Sequence, residues 1–243
     1  GLPITRLRAR LKYTQRPVLG SEGHPSRCTH GCADAASDAC HVLQGDQDVV
    51  MGMTLFGTDT AAALKIYLNP SGYMDRYLRD VQSMDISGEA GQQTTSIVLS
   101  DLNGDGFLDI VVGCEGQRNK FYLNPGRNAQ NQVQFTDAFM TPVYLDSTTL
   151  DTESVAVADL NNDNIMDIVV GNEGAENFIY LGVVPVPNPT SHYEVAAATS
   201  VSAGDAFDTK SISIGDLNMD NIPDIVAGDY AQTNKVYLGQ VTG

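Results

Sequence analysis

The sequence has no tryptophan, only four histidines, and 14 lysine plus arginine residues against 30 aspartate plus glutamate. Each shortage removes a class of function. A net charge of −16 repels nucleic acid and anionic membrane surfaces, so neither is an expected partner. No apolar run reaches 18 residues, so no membrane-spanning helix is expected. His24, His30, His41 and His192 accompany no nucleophile motif. There is no Gly-x-Ser-x-Gly elbow and no phosphate-binding glycine loop, so the chain is not expected to be an enzyme. Without tryptophan, the strongest sugar-stacking side chain is missing. Asn69-Pro70-Ser71 and Asn188-Pro189-Thr190 both carry proline at the middle position, so neither is a usable N-glycosylation sequon. The chain opens Gly1-Leu2-Pro3, with no methionine and no apolar signal core, as expected for a processed or trimmed product.

What is present is acid, and it is unevenly placed. Six of the 14 bases stand in the first 27 residues: Arg6, Arg8, Arg10, Lys12, Arg16 and Arg27. Along Thr5 to Tyr13 the bases alternate with Leu7, Ala9 and Leu11, so a strand there would have a basic face and an apolar one. Of the four cysteines, Cys28, Cys32 and Cys40 lie close together, beside His30 and His41. Their spacing matches no common zinc pattern, so a local disulfide pinning a loop is expected, with the pairing open. Clustered cysteines also agree with an oxidising, extracellular setting.

Internal repetition decides the fold. Residues 96–113 read SIVLSDLNGDGFLDIVVG, residues 154–171 SVAVADLNNDNIMDIVVG, and residues 211–228 SISIGDLNMDNIPDIVAG. Each leads to a strand-like segment with a tyrosine: NKFYLN, NFIYLG and NKVYLG. Asp109 to Tyr122, Asp167 to Tyr180 and Asp224 to Tyr237 are each 13 residues, and the repeat period is 58, then 57. A worn copy precedes these, with Asp48-Val49-Val50-Met51-Gly52 and LKIYLN, and Cys40 where the others begin their loop with Asp. Short alternating strands and no long helical periodicity predict an all-β protein. Four antiparallel strands per unit is the pattern of a propeller blade, so about four four-stranded blades are expected, alone or within a larger ring or assembly. The fourth strand of each unit is expected in the spacers, at Val133–Thr136 or His192–Val195. The single repeat domain, 1–243, divides into five parts: a basic strand and Cys-containing loop at 1–39, a degenerate blade at 40–95, blades at 96–153 and 154–210, and a last blade at 211–243. The N-terminal strand is expected to complete that last blade.

The loops carry oxygen donors at alternate positions. Asp101, Asn103 and Asp105 fill positions 1, 3 and 5; the carbonyl of Phe107 stands at 7 and Asp109 at 9. The second loop has Asp159, Asn161, Asp163, the carbonyl of Ile165, and Asp167. The third has Asp216, Asn218, Asp220, the carbonyl of Ile222, and Asp224. Hard oxygen donors without histidine or cysteine suit Ca²⁺. Position 6 is Gly106, Asn164 or Asn221, residues that tolerate the positive φ of a sharp turn. The position-12 residues, Val112, Val170 and Ala227, exclude an EF-hand. About three structural Ca²⁺ ions are therefore expected.

The DxNxDxxxDIVVG loop followed by a tyrosine strand resembles the FG-GAP and VCBS repeats, over residues 40–239. The continuations Gly113-Cys114-Glu115-Gly116, Gly171-Asn172-Glu173-Gly174 and Gly228-Asp229-Tyr230-Ala231 are closer to the VCBS type. The resemblance implies an extracellular calcium-binding β-propeller, secreted or at the cell surface, that binds or adheres to protein or glycan through loops at one face. The matching loop residues are Glu115, Gln117 and Arg118; Asn172, Glu173 and Glu176; and Asp229, Tyr230 and Gln232. Two other roles are open: a structural subunit of an extracellular filament, appendage or coat, made from copies of itself, and the non-catalytic propeller of a secreted polysaccharide-active enzyme.

Overall fold

The structure is a computed structural model that describes residues 39–42, 49–52, 65–68, 82–86, 92–126, 141–183, 193–201 and 206–240. The expected N-terminal strand, Cys28, Cys32 and Val133–Thr136 lie outside the described residues. Every regular element among the described residues is a strand, and every pairing is antiparallel. The chain is all-β, as its periodicity predicts.

The strands fall into successive meanders, called blades below. Blade 1 is β1 (Ala39–Val42), β2 (Val49–Gly52), β3 (Lys65–Leu68) and β4 (Gln82–Asp85), paired in that order. Cys40 does not take the loop-opening place expected of it: it lies within β1 opposite Met51, as Val155 lies opposite Val170 in a later repeat, because the β1–β2 connection is shorter than the Asp loops. Blade 2 is β5 (Thr94–Ser100), β6 (Asp109–Cys114), β7 (Lys120–Tyr122) and β8 (Val143–Tyr144). Blade 3 is β9 (Asp151–Ala158), β10 (Asp167–Ala175), β11 (Phe178–Tyr180) and, after a small hairpin, β14 (Thr199–Ser200). Blade 4 comprises β15 (Phe207–Gly215), β16 (Asp224–Asp229) and β17 (Lys235–Tyr237). A short bulged pairing of Glu173 and Ala175 with Asp208 and Phe207 links β10 to β15. These antiparallel meanders are consistent with a β-propeller.

One strand expectation is corrected. The segment ending in Val195 is not the fourth strand of blade 3. Glu194–Val195 (β13) pairs with Gly182–Val183 (β12) as a hairpin, and Thr199–Ser200 takes the outer place instead. Burial explains the choice. Tyr193 is buried, stacks edge-on against Phe121 at 5.2 Å between ring centroids, and donates its hydroxyl to the Met166 carbonyl at 2.5 Å. An apolar anchor holds the segment down before it can run along β11.

The core lies between blades, not within them. Ile66 and Ile86 of blade 1 pack with Ile97, Ile110, Val112, Cys114 and Tyr122 of blade 2. Leu102, Val111, Phe121 and Leu145 of blade 2 pack with Val155, Ile168, Val170 and Tyr180 of blade 3. Val169 of blade 3, with Leu160 and Ile179 beside it, packs with Ile212, Ile225 and Ala227 of blade 4. The DIVVG runs are buried on both faces because alternate side chains serve the preceding and following interfaces. The glycine closing each run lets the next blade approach. A Cβ on Gly113 would meet Val155 at 2.9 Å and Thr152 at 3.0 Å, and one on Gly171 would meet Ile212 and Thr209 at 2.8 Å.

Candidate functional site

The Asp/Asn loops connect the first and second strands of blades 2, 3 and 4, and all three fold alike. The position-1 aspartate accepts backbone N–H groups from inside its loop. Asp101 Oδ1 takes Gly104 and Asp105 at 2.8 and 3.0 Å, and its Oδ2 takes Gly106 at 2.8 Å. Asp159 accepts from Asp163 and Asn164, and Asp216 from Met219, Asp220 and Asn221. Position 3 accepts from position 5, as in Asn103 Oδ1 with the Asp105 N–H at 3.1 Å. Position 5 accepts from position 7: Asp105, Asp163 and Asp220 each take an N–H at 2.8 Å. Such turns are what short Asp and Asn side chains favour.

The backbone agrees with the position-6 expectation: φ is 87° at Gly106, 67° at Asn164 and 66° at Asn221. Position 4 also lies in the left-handed region, at Gly104 (74°), Asn162 (60°) and Met219 (64°). Glycine and asparagine accept that conformation readily; methionine does not.

The position-9 aspartate behaves differently from the others. Asp109, Asp167 and Asp224 are fully buried. Asp109 Oδ2 accepts the Leu102 N–H at 2.8 Å and Oδ1 accepts that of Asn124 at 2.7 Å. Asp167 takes Leu160 and Gly182, both at 2.8 Å, and Asp224 takes Leu217 and Gly239 at 2.7 and 2.9 Å. Each carboxylate clasps the loop entrance to the exit of the tyrosine strand. Burial pushes the Asp109 carboxyl up to about 7. Its two N–H partners oppose that rise, and the charges of Asp105 and Asp101 add to it. Burial also raises Asp167, with Asp163 and Asp159 contributing.

The donor set of each loop suits a hard cation: carboxylates at 1 and 5, an amide oxygen at 3, and no sulfur or imidazole. Among the described residues, no group of three His, Cys, Asp or Glu side chains is gathered tightly enough to hold a metal ion as it stands. Each position-9 carboxylate is turned inward and engaged by two backbone N–H groups. Its oxygens keep a second lone pair each, beyond those engaged by backbone N–H groups.

The rim residues expected to meet a ligand divide into two sets. Asn172 is buried: it accepts from Thr152 Oγ1 at 2.6 Å and donates to the Glu176 carbonyl at 2.6 Å, tying strands together. Glu173 is held by Lys210, which also binds Glu153 at 3.1 Å. Hydrogen bonds from Lys210 lower the Glu173 carboxyl. Asp229 accepts from Thr209 Oγ1 at 2.6 Å, and Gln117 and Gln232 accept from the N–H groups of Gln93 and Asp208. Glu115, Arg118 and Tyr230 are exposed, and the Arg118 guanidinium lies 3.5 Å over the Tyr144 ring. Burial, reinforced by Asp151 and Glu153, raises the Glu115 carboxyl.

The polar ties between blades escaped the sequence reading. Asn119 Nδ2 donates to Thr152 Oγ1 at 2.8 Å, and Asn177 Nδ2 to Thr209 Oγ1 at 2.9 Å, each reaching the next blade. Ser96 Oγ accepts the Val155 N–H at 3.1 Å, and Ser154 Oγ that of Ile212 at 3.0 Å. The signal was in the repeats: Thr-x-Ser at Thr94, Thr152 and Thr209, and Asn three residues before each tyrosine.

These features define an all-β repeat protein with an acidic, turn-stabilised loop in each repeat. Residues 101–170 match the family model of the FG-GAP-like repeat, and the chain carries that repeat. The chain is also similar to phosphatidylinositol-glycan-specific phospholipase D of Bos taurus, 30% identical over 158 residues. That match covers 55% of this chain and 18% of the bovine protein, so the chain spans under a fifth of that relative's length. No helix among the described residues is long and apolar enough to cross a membrane.

Proposed function

We propose that the chain forms four blades of an extracellular calcium-binding β-propeller, a non-enzymatic module that binds protein or glycan. The supporting observation is the three-fold recurrence of one loop conformation, with acids at positions 1, 5 and 9 and no basic side chain in the loop. Asp101, Asn103, Asp105, the Phe107 carbonyl and Asp109 would hold the first ion, and the corresponding residues the second and third. The ion would supply the positive charge that three neighbouring carboxylates lack. Its role is structural, since each loop joins two strands of a blade. The exposed rim residues Glu115, Arg118 and Tyr230 are the contact candidates.

A second reading makes these blades the non-catalytic propeller of a larger enzyme, and the bovine relative, named as a phospholipase, supports the larger enzyme without indicating polysaccharide as its substrate. Thermal unfolding in excess calcium and in excess chelator tests the calcium. A ligand at about 1,000 times its Kd adds about 4 kcal/mol, so a higher Tm in calcium is expected, with the gain reduced in Asp105→Ala, Asp163→Ala and Asp220→Ala. Equal unfolding in both buffers contradicts the calcium reading. Immobilised protein probed with carboxylated, sulfated and neutral polysaccharides tests the module. Retention that is lost in Arg118→Ala and Tyr230→Ala supports it, and retention of none contradicts glycan binding.

A further inference from the structure

Asn103 is followed by Gly104, and this Asn-Gly pair occurs once in the chain. The pair has its own chemistry. The backbone nitrogen after an asparagine is a nucleophile that can attack the side-chain amide, and a Cβ on that next residue obstructs the approach, which glycine leaves open. In the other two loops the next residue is Asn162 or Met219. Neither packing nor conformation demands the glycine. A Cβ on Gly104 would meet nothing within 4 Å, and Asn162 and Met219 adopt the same left-handed conformation, at φ 60° and 64° against 74°.

The folded loop brings three groups to the Asn103 amide. The attacking group, the Gly104 N–H, donates to Asp101 Oδ1 at 2.8 Å, where a carboxylate can take up its proton. The amide oxygen, Asn103 Oδ1, accepts the Asp105 N–H at 3.1 Å, and that donor stabilises the negative charge gained in a tetrahedral intermediate. The amide nitrogen, Nδ2, donates to Asp105 Oδ2 at 3.0 Å, which fixes the rotation of the amide. Asn103 is buried, so these bonds hold its side chain in one place beside an exposed Gly104.

We propose that Asn103 is a self-modification site, converted within the folded loop to a mixture of aspartate and isoaspartate. The bond from Gly104 N to Asn103 Cγ forms and the Cγ–Nδ2 bond breaks. The proton that Gly104 gives up passes through solvent water to Nδ2, which leaves as ammonia, and a succinimide ring is closed. Water then adds to one of the two ring carbonyls. One opening gives aspartate at position 103; the other routes the main chain through the former side chain and lengthens it by a methylene. The net change is one water taken up and one ammonia released, with no oxidation or reduction. Either product adds a negative charge beside Asp101 and Asp105, which like-charge repulsion disfavours.

The third loop is an internal control. It makes the same three bonds: Met219 N–H to Asp216 Oδ1 at 2.7 Å, Asp220 N–H to Asn218 Oδ1 at 3.1 Å, and Asn218 Nδ2 to Asp220 Oδ2 at 2.8 Å. The residue after the asparagine is what differs.

Incubation of the whole chain at neutral pH in chelator, followed by digestion and peptide mass, tests the proposal independently of calcium binding. The readout is the mass gain of an amide-to-acid exchange, with isoaspartate resolved by chromatography. Conversion at Asn103 is expected to be about tenfold or more faster than at Asn218, and faster in the folded chain than in the same chain held in urea. Asp101→Asn is expected to slow the folded reaction and leave the rate in urea unchanged. Gly104→Asn, which gives this loop the residue that the second loop carries, is expected to lower conversion to the level of Asn161. A rate at Asn103 no faster folded than in urea, or unaltered by Asp101→Asn, overturns the proposal.

Discussion

The Asp167 carboxylate accepts the backbone N–H of Gly182 at 2.8 Å, fifteen residues further along the chain. Its other oxygen holds Leu160 at the loop entrance, also at 2.8 Å. One buried side chain therefore fixes both the loop and the strand two connections later. Asp167→Asn replaces one accepting oxygen with an N–H₂ that would face an N–H donor. A loss of about 1–3 kcal/mol is expected in urea unfolding, as for a buried group left unsatisfied.

The pH dependence of the calcium-free protein follows from the same clasps. The Asp109 carboxyl, near 3.8 ordinarily, is pushed to about 7. Between those values the folded state holds a proton that the unfolded chain has released. Stability in chelator is therefore expected to fall as pH rises from about 4 to about 7. Bound calcium reverses the sign, because protons then compete with the ion for carboxylates. Denaturant midpoints across that range, with and without calcium, read the two slopes.

Gly171 and Gly228 hold equivalent strand positions but face different neighbours. Gly171→Ala would bring a Cβ to 2.8 Å from Ile212 and Thr209. A loss of about 1–3 kcal/mol is expected from overpacking. Gly228→Ala has only Ser211 nearby, and about 0.5 kcal/mol or less is expected in the single chain. The difference between the two Tm shifts measures the interface.

Met219 is 88% exposed and sits at φ 64°, in a loop position held elsewhere by Gly104 and Asn162. No packing compensates for its conformation. Met219→Gly is expected to stabilise by about 1 kcal/mol, visible as a raised Tm.

Much of the fold was legible because the repeats report it three times. The constant Asp-to-Tyr spacing located β6, β10 and β16 and their partners, and the Gly or Asn at position 6 announced its positive φ. The outer strands were not legible. Val143–Tyr144 and Thr199–Ser200 are two residues each, too short to show a period, and Thr199–Ser200 takes the outer place that burial of Tyr193 denies to the expected segment. The role of position 9 was hidden for a different reason. An aspartate that clasps backbone and one that binds a cation are the same letter in the same place. Asn172 shows the same ambiguity: it reads as a polar rim residue, but Thr152 and Glu176 hold it inside.

Native mass spectrometry across a calcium titration tests the central claim most directly. Three ions per 26.0 kDa chain are expected, falling to two when Asp159→Ala and Asp163→Ala remove one loop. A protein that stays free of calcium at millimolar concentrations, the affinity range of extracellular modules, would contradict it and leave the loops as turns.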